Sequence, residues 1–317
     1  MKLNMSKMIF ISMIFVSSFI SLSMNNWFSM WIIMEISLFM FIPLMSKNKI
    51  SDQSMKYFII QSISSYLFIF SIIINSMNEM YINNPLTLLS LMLKIGMPPF
   101  HIWKPEIMSK LPWMECLLLT TLIKIPPMIL INKLISFKML MIPLLITLII
   151  GSLSGLNQLN LKKMMAFSSI FNLPWMSSAF LISEKIMLTF LIFYIMLNFK
   201  LMSLFKLNNL NYLNQLNFLP LKTKMTMNLN MLSLSGLPPL LGFFPKWMIL
   251  NELTKTLMIL PSIMILTSMI SMFMYIQINY FSMNNFSFKK KNFKNNTAKS
   301  FSILNLMAFP MMLIFWM

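Results

Sequence analysis

Glu35, Lys94 and Lys124 sit in the middle of apolar runs (WIIMEISLFMF, LTLLSLMLKIGMPPF and CLLLTTLIKIPPMIL), and Lys246 follows an apolar stretch broken at Gly236 and Pro238–Pro239. A charged side chain at mid-membrane costs roughly 2.5–3.5 kcal/mol on insertion scales. Four such groups cost on the order of 10 kcal/mol, comparable with the whole stability of a domain. Structural ion pairs that lock helices together would offset that cost. A buried chain of ionisable groups that passes protons or ions would also account for it. Lysine suits such a chain, because burial favours the neutral amine while a nearby carboxylate favours the ammonium. Glu35 and Lys94 are both buried and opposite in sign, so they are expected to lie close in space. At 4 Å and an effective dielectric of 20 such a pair interacts by about 4 kcal/mol, enough to switch a lysine between holding and releasing a proton.

The residues around the lysines favour the relay. Lys94 is followed by Gly96 and Pro98–Pro99, Lys124 by Pro126–Pro127, and Lys246 is preceded by Gly236, Pro238–Pro239 and Pro245. Proline removes an i→i−4 hydrogen bond and frees a carbonyl, which hydrocarbon does not tolerate. Such breaks persist where they line a polar cavity, as in the broken helices of transporters. Other polar residues carry weaker signals. Lys200 lies near the end of its run, where it can snorkel to the interface. His101, the single histidine, stands about 10 Å of helix beyond Lys94 and reads as a plain hydrogen-bonding residue or as a relay group. Glu106, Glu115, Glu184 and Glu252 fall near the ends of runs and default to solvated or capping roles, and Asp52 and Glu79 to loops. With one His, one Cys (Cys116) and no clustered carboxylates, the pattern offers neither a metal site nor an internal disulfide. It also holds no Gly-rich phosphate loop, nucleotide fingerprint, nucleophile elbow or haem ligand pair. Redox chemistry, if any, is expected in another polypeptide.

Holding such groups in hydrocarbon requires helices that span it. Apolar runs of about 20 residues recur with short polar gaps, as a core about 30 Å thick requires. They predict spans at 8–24, 27–45, 57–76, 85–103, 112–132, 139–158, 164–182, 186–205, 226–252, 257–281 and 301–317. The expected fold is an all-α polytopic membrane protein of about eleven transmembrane helices, forming a single transmembrane domain over residues 1–317. Lys2 and Lys7 precede the first span as they would in a signal peptide. That span is nearly full length and no A-x-A-like cleavage site follows it, so it reads as a retained helix. The stretches 206–224 and 282–300 are Asn/Lys-rich and read as surface loops. With eleven spans, seventeen lysines fall on the N-terminal side, among them Lys56, Lys104, Lys110 and Lys163. Only Lys133, Lys138, Lys185 and Lys255 fall opposite. That positive-inside asymmetry places the N-terminus in the cytosol or matrix and the C-terminus on the far side.

Composition agrees. The 317 residues are 58% hydrophobic and only 10% charged, with a mean hydropathy of +0.76. A soluble domain carries about 25% charged residues, so this chain cannot cover a water-exposed surface. Its net charge of +18 comes from lysine alone, without one arginine, and the lysines sit in gaps between apolar runs. Nucleic-acid binding is therefore not expected. The 39 Met, 29 Phe and single valine (Val16) read as codon bias, such as that of an AT-rich organellar genome, and the methionines as packing.

At these residues the chain resembles the mitochondrially encoded NADH dehydrogenase subunit 2 family, antiporter-like membrane subunits of respiratory complex I. The matching stretches are MEISLFMFIPL, LKIGMPPFHIW, IKIPPM, GSLSGLNQLNLKKMMAFSSI (151–170) and LSLSGLPPLLGFFPKWMILNEL (232–253). The resemblance implies an antiporter-like bundle with broken helices, similar to a bacterial antiporter-like subunit without its first three helices. It implies a proton-translocating subunit in which Glu35 pairs with Lys94, Lys124 holds the transferred proton and Lys246 forms the distal site. It further implies subunit 4L beside Glu35–Lys94 and subunit 4 beside Lys246, with membrane lipids as the remaining partners. NADH, FMN, iron–sulfur clusters and ubiquinone would be bound by other subunits and no cofactor by this one. The location implied is the mitochondrial inner membrane, N-terminus in the matrix and C-terminus in the intermembrane space. In one place the chain departs from the family: Asn172-Leu173-Pro174 stands where His-Leu-Gly or similar is usual, so a relay through that histidine is lost or carried by water, and Pro174 would kink its helix. A stand-alone Mrp-like cation/proton antiporter and a membrane scaffold with purely structural charges remain as the alternatives.

Overall fold

The computed structural model describes residues 5–46, 51–77, 85–256 and 258–284. Among the described residues the regular secondary structure is helical, with an isolated bridge between Asn160 and Tyr212. It forms two compact units, Met1–Thr147 and Leu148–Met317.

The first unit holds α1 (Met5–Ser23), α2 (Trp27–Ser46), α3 (Ser51–Met77), α4 (Pro85–Ile95), α5 (Trp103–Lys110), α6 (Trp113–Thr120) and α7 (Ile125–Leu134). Helices α1 to α4 pack in sequence order, and α7 lies against α1, α2 and α4. The α6–α7 span is therefore innermost. Its apolar residues are buried along its length, Leu117–Leu119, Leu122, Ile125 and Met128–Ile131 among them. On the outer helices, large apolar residues such as Phe39, Ile59, Ile63 and Phe70 are exposed, the surface a lipid-facing helix presents.

α8 (Phe137–Gly155) carries the chain into the second unit, which holds α9 (Leu161–Ile182), α10 (Glu184–Leu207), α11 (Leu221–Ser235), α12 (Phe243–Thr256) and α13 (Ile259–Asn284). Here α9 is the inner helix, buried without interruption from Met164 to Ala179 and packed on α10 and α12. Local chemistry sets its ends. The Asn160 side chain accepts from the Lys162 amide at 2.9 Å, and the Ser183 amide closes on the Ala179 carbonyl while its hydroxyl accepts from Ile186. Many serines lie inside these helices, where an unpaired hydroxyl would be costly. They donate to their own helix three residues back, as Ser21, Ser64 and Ser71 do at 2.6–2.7 Å.

Eight helical spans among the described residues are long and apolar enough to cross a membrane, counting α6–α7 as one. The predicted spans 85–103 and 226–252 are built from broken pairs, α4 with α5 and α11 with α12, the second interrupted in its middle as its Gly236 and Pro238–Pro239 lead one to expect. The span 301–317, Glu79, Lys2, Lys47, Lys49 and the lysines beyond residue 284 lie outside the described residues. One expectation needs correction. The loop at 206–224 is shorter than read, because Pro220 starts α11 at Leu221 and places Lys222 and Lys224 in the helix. Helix α9 carries Pro174 in its interior.

Candidate functional site

In the first unit the structure brings Glu35 and Lys94 together. Lys94, in the last turn of α4, donates from Nζ to Glu35 Oε1 of α2 at 3.2 Å and lies 3.9 Å from Met34 Sδ. The lysine side chain is 4% exposed and the glutamate 17%. The break that ends α4 is built around Gly96, whose φ of +76° suits glycine alone. The amides of Gly96 and Met97 both return to the Met92 carbonyl, at 2.9 and 3.0 Å. The carbonyls freed at the helix end are answered by side chains: Gln61 Nε2 of α3 donates to Lys94 O at 3.2 Å, and Lys104 Nζ of α5 to Ile95 O at 3.3 Å. A helix C-terminus carries partial negative charge, so a cation there is favoured.

Lys124 occupies a 3₁₀ turn, Leu122–Lys124, between α6 and α7, with Pro126 and Pro127 in the first turn of α7. It is 2% exposed, and Lys104 is a neighbouring buried amine. Lys104 was expected in a solvated gap, yet it is 1% exposed. After the α4 break the chain folds inward, Trp103 packs against Gly96, and the next residue is carried into the interior. A lysine ten residues after Lys94, flanked by Trp103 and Pro105, was the available signal.

The second unit holds Lys246. It sits in the first turn of α12, 7% exposed, and donates to the carbonyls of Leu234 at 3.2 Å and Ser235 at 2.9 Å, the open end of α11. Its Nζ also lies 5.5 Å from the Phe171 ring centroid and 5.4 Å from that of Trp175, both on α9. Helix-end carbonyls and aromatic faces both attract a cation without supplying a formal anion. Asn172 lines a cavity of about 20 Å³ with Tyr194, Leu234, Pro245 and Lys246, space for one water.

Other expectations move. Lys200 does not snorkel: it is 3% exposed, and its Nζ has no hydrogen-bond partner among the described residues. Glu115 is buried in the first turn of α6 and is not solvated. Glu106 is exposed and pairs with Lys56 at 3.5 Å, and Glu252 with Lys255 at 2.8 Å. His101 lies in the turn between α4 and α5, half-buried and bonded to the Pro99 backbone.

Comparison with known proteins follows the same features. The sequence model of the family described as NADH:quinone oxidoreductase/Mrp antiporter, transmembrane, matches residues 24–274, from α2 into α13. NADH-ubiquinone oxidoreductase chain 2 of Anopheles gambiae is 36% identical over 292 residues, covering 87% of this chain and 85% of that one. The Bos taurus chain 2 is 33% identical over 273 residues, covering 80% and 79%. Among solved structures, a chain of respiratory complex I from Thermus thermophilus superposes with a TM-score of 0.81 at 18% identity, over 97% of this chain and 79% of that one. A chain of the Mrp complex from Dietzia sp. gives 0.72 at 15% identity, over 85% and 59%. The last two share the fold. With the family profile running through all three helix breaks, the chain belongs to the NADH:quinone oxidoreductase/Mrp antiporter family of membrane proteins and, within it, to the chain 2 group of the NADH-ubiquinone oxidoreductases.

Proposed function

We propose that this chain is a proton-translocating, antiporter-like membrane subunit of mitochondrial NADH:ubiquinone oxidoreductase, and that Glu35, Lys94, Lys124 and Lys246 handle the protons. The observation that carries the reading is the 3.2 Å Glu35–Lys94 pair closed across a helix break, with Lys124 and Lys246 buried at two further breaks. Electron transfer from NADH through FMN and iron–sulfur clusters to ubiquinone takes place on other subunits. Its energy reaches this chain as movement or charge at its borders. Parting Glu35 from Lys94 removes an interaction of about 4 kcal/mol at an effective dielectric of 20, after which Lys94 releases its proton inward. Moving one charge through 100 mV requires about 2.3 kcal/mol, so the switch and the task are of one scale. Lys124 holds the proton within the inner span and Lys246 forms the distal site. On this reading subunit 4L lies on the Glu35 side and subunit 4 on the Lys246 side, in the mitochondrial inner membrane, with lipids around the remaining surface.

The test is Lys124→Met in the assembled complex, with quinone reduction and proton uptake followed in the same sealed vesicles. The expected result is intact assembly with slowed coupled turnover and fewer protons taken up per NADH. Full turnover and full uptake in an assembled complex would sink the role of Lys124 and leave its charge a structural feature.

A further inference from the structure

Lys200 has no place in the proposed pathway, yet it is buried as deeply as the lysines that do. It is 3% exposed, and its Nζ is buried with no hydrogen-bond partner among the described residues. No carboxylate of the second unit can answer it. From residue 148 to residue 317 the sequence has two side-chain carboxylates, Glu184 and Glu252. Glu184 stands in the first turn of α10, about 24 Å of helix from Lys200. Glu252 of α12 pairs with Lys255 at 2.8 Å. The register of α10 places the amine. Phe193, Leu197, Lys200 and Leu204 recur at the spacing of one helix face. Helix α10 packs on α9, α11 and α12, and Phe193 meets Phe244 of α12 edge-on with ring centroids 6.1 Å apart. Phe193 and Leu197 also line the cavity of about 20 Å³ that Asn172 and Lys246 share. Lys200 follows Leu197 by about 4.5 Å of rise. Helical side chains lean towards the N-terminus of their helix, so Lys200 leans back over the turn of Leu197 and away from the helix end at Lys206. Its burial agrees with that direction.

We propose that Lys200 is the loading residue of the distal site, passing protons from the lysine-rich side of the membrane to Lys246. The step runs through the one water that the cavity can hold. An N–H bond breaks at the Lys200 ammonium and an O–H bond forms at the water. Another O–H bond of that water breaks, and an N–H bond forms at the neutral Lys246 amine. The water is left unchanged, and neutral Lys200 regains a proton from the aqueous medium beyond Lys206. Its position suits that supply. Lys206, half-buried at the end of α10, stands about 9 Å of helix beyond it. The ionisable groups on the helices packed against α10 supply no anion there. Lys162 and Lys163 lie in the first turn of α9, Lys222 and Lys224 at the start of α11, and Lys246 at the start of α12. Tyr194 of α10 lines the same cavity as Lys246. A charge on Lys200 is therefore a cost to the fold, and no ion pair accounts for its presence.

This inference rests on the proposed role of Lys246 as the distal proton site, and the experiment separates the two. Lys200→Met and Lys246→Met are compared with wild type in assembled complex, in sealed vesicles with the matrix face outward. The rate of NADH-driven proton uptake is read over a range of outside pH, beside the amount of complex assembled. Methionine is close to lysine in length and removes a charge that the fold leaves unanswered, so Lys200→Met is expected to assemble fully. Its uptake is expected to fall several-fold below wild type at neutral pH. The gap should close as the outside medium is made more acid, because bulk protons then reach Lys246 without a loading residue. Lys246→Met should lose uptake at every pH. Full uptake in Lys200→Met beside loss in Lys246→Met overturns this inference and leaves the distal site standing. Full uptake in Lys246→Met overturns the distal site and the loading role with it. A loss in Lys200→Met that acid does not relieve makes Lys200 a packing residue and overturns the proposal. If Lys200→Met does not assemble, Lys200→Gln is measured in its place; failure of both makes the lysine structural and overturns the proposal as well.

Discussion

At the residue scale, Glu35 and Lys94 are worth more to each other than either is to the fold. Removing one partner of a buried ion pair leaves the other charge uncompensated, at about 3–5 kcal/mol, whereas removing both is often close to neutral. Glu35→Gln is therefore expected to lower proton uptake per NADH and to release the chain from heated complex earlier than the wild type. Adding Lys94→Met should recover most of the heat resistance and none of the uptake. Chain retained after graded heating, read by blotting, checks the first part; a double variant as labile as the sum of the singles would contradict it. The pair was legible in the sequence because a charge inside a long apolar run is a contrast visible along the chain. Lys124 was legible for the same reason, and Lys246 from the glycine and proline break ahead of it. Lys104, Lys200 and Glu115 were not, since each stands near a polar gap or a run's end and is buried only by how the chain folds back. Tertiary packing, not local sequence, decides which lysines near a gap reach water.

At the element scale, the helix breaks were the most readable feature, because Gly and Pro punctuate an apolar run for reasons of backbone geometry alone. What the punctuation does not say is how the freed carbonyls are answered. In α4 the answer is Gln61 and Lys104; in α11 it is Lys246 itself. The α11–α12 break depends on two glycines. A β-carbon on Gly242 would collide with the Ser233 carbonyl oxygen, with no room for it unless backbone moves. Gly236 has φ of +88°, where a side chain costs roughly 1–2 kcal/mol, and its β-carbon would meet Lys246 Cδ at 3.0 Å. Gly242→Ala is expected to reduce the assembled chain severely. Gly236→Ala should assemble at a somewhat lower level and lose uptake, because Lys246 is pushed from its carbonyls. Wild-type assembly and uptake in Gly242→Ala would mean that α12 does not start against α11 as described.

At the scale of the whole molecule, the lysines that do reach water carry the topology, and each unit supplies its own pair of ends. In the first, Lys110 precedes the α6–α7 span and Lys133 lies in its last turn, both exposed. In the second, Lys163 lies in the first turn of α9, while Lys185 follows its end and is exposed. A span about 30 Å thick separates the members of each pair, so they report opposite faces of the bilayer. On the proposed topology Lys110 and Lys163 share the lysine-rich side, which the positive-inside rule makes the matrix. The sole native cysteine, Cys116, is fully buried, which leaves a quiet background for labelling. Lys110→Cys and Lys163→Cys are expected to react with a membrane-impermeant maleimide only in inner-membrane vesicles with the matrix face outward. Lys133→Cys and Lys185→Cys should react only in vesicles of the opposite orientation, and all four after denaturation in detergent. Reaction of both members of a pair from one face would show that the span between them does not cross. Reversal of both pairs would keep the helices and invert the chain, placing Glu35 and Lys94 the other way up relative to the gradient they are proposed to work against.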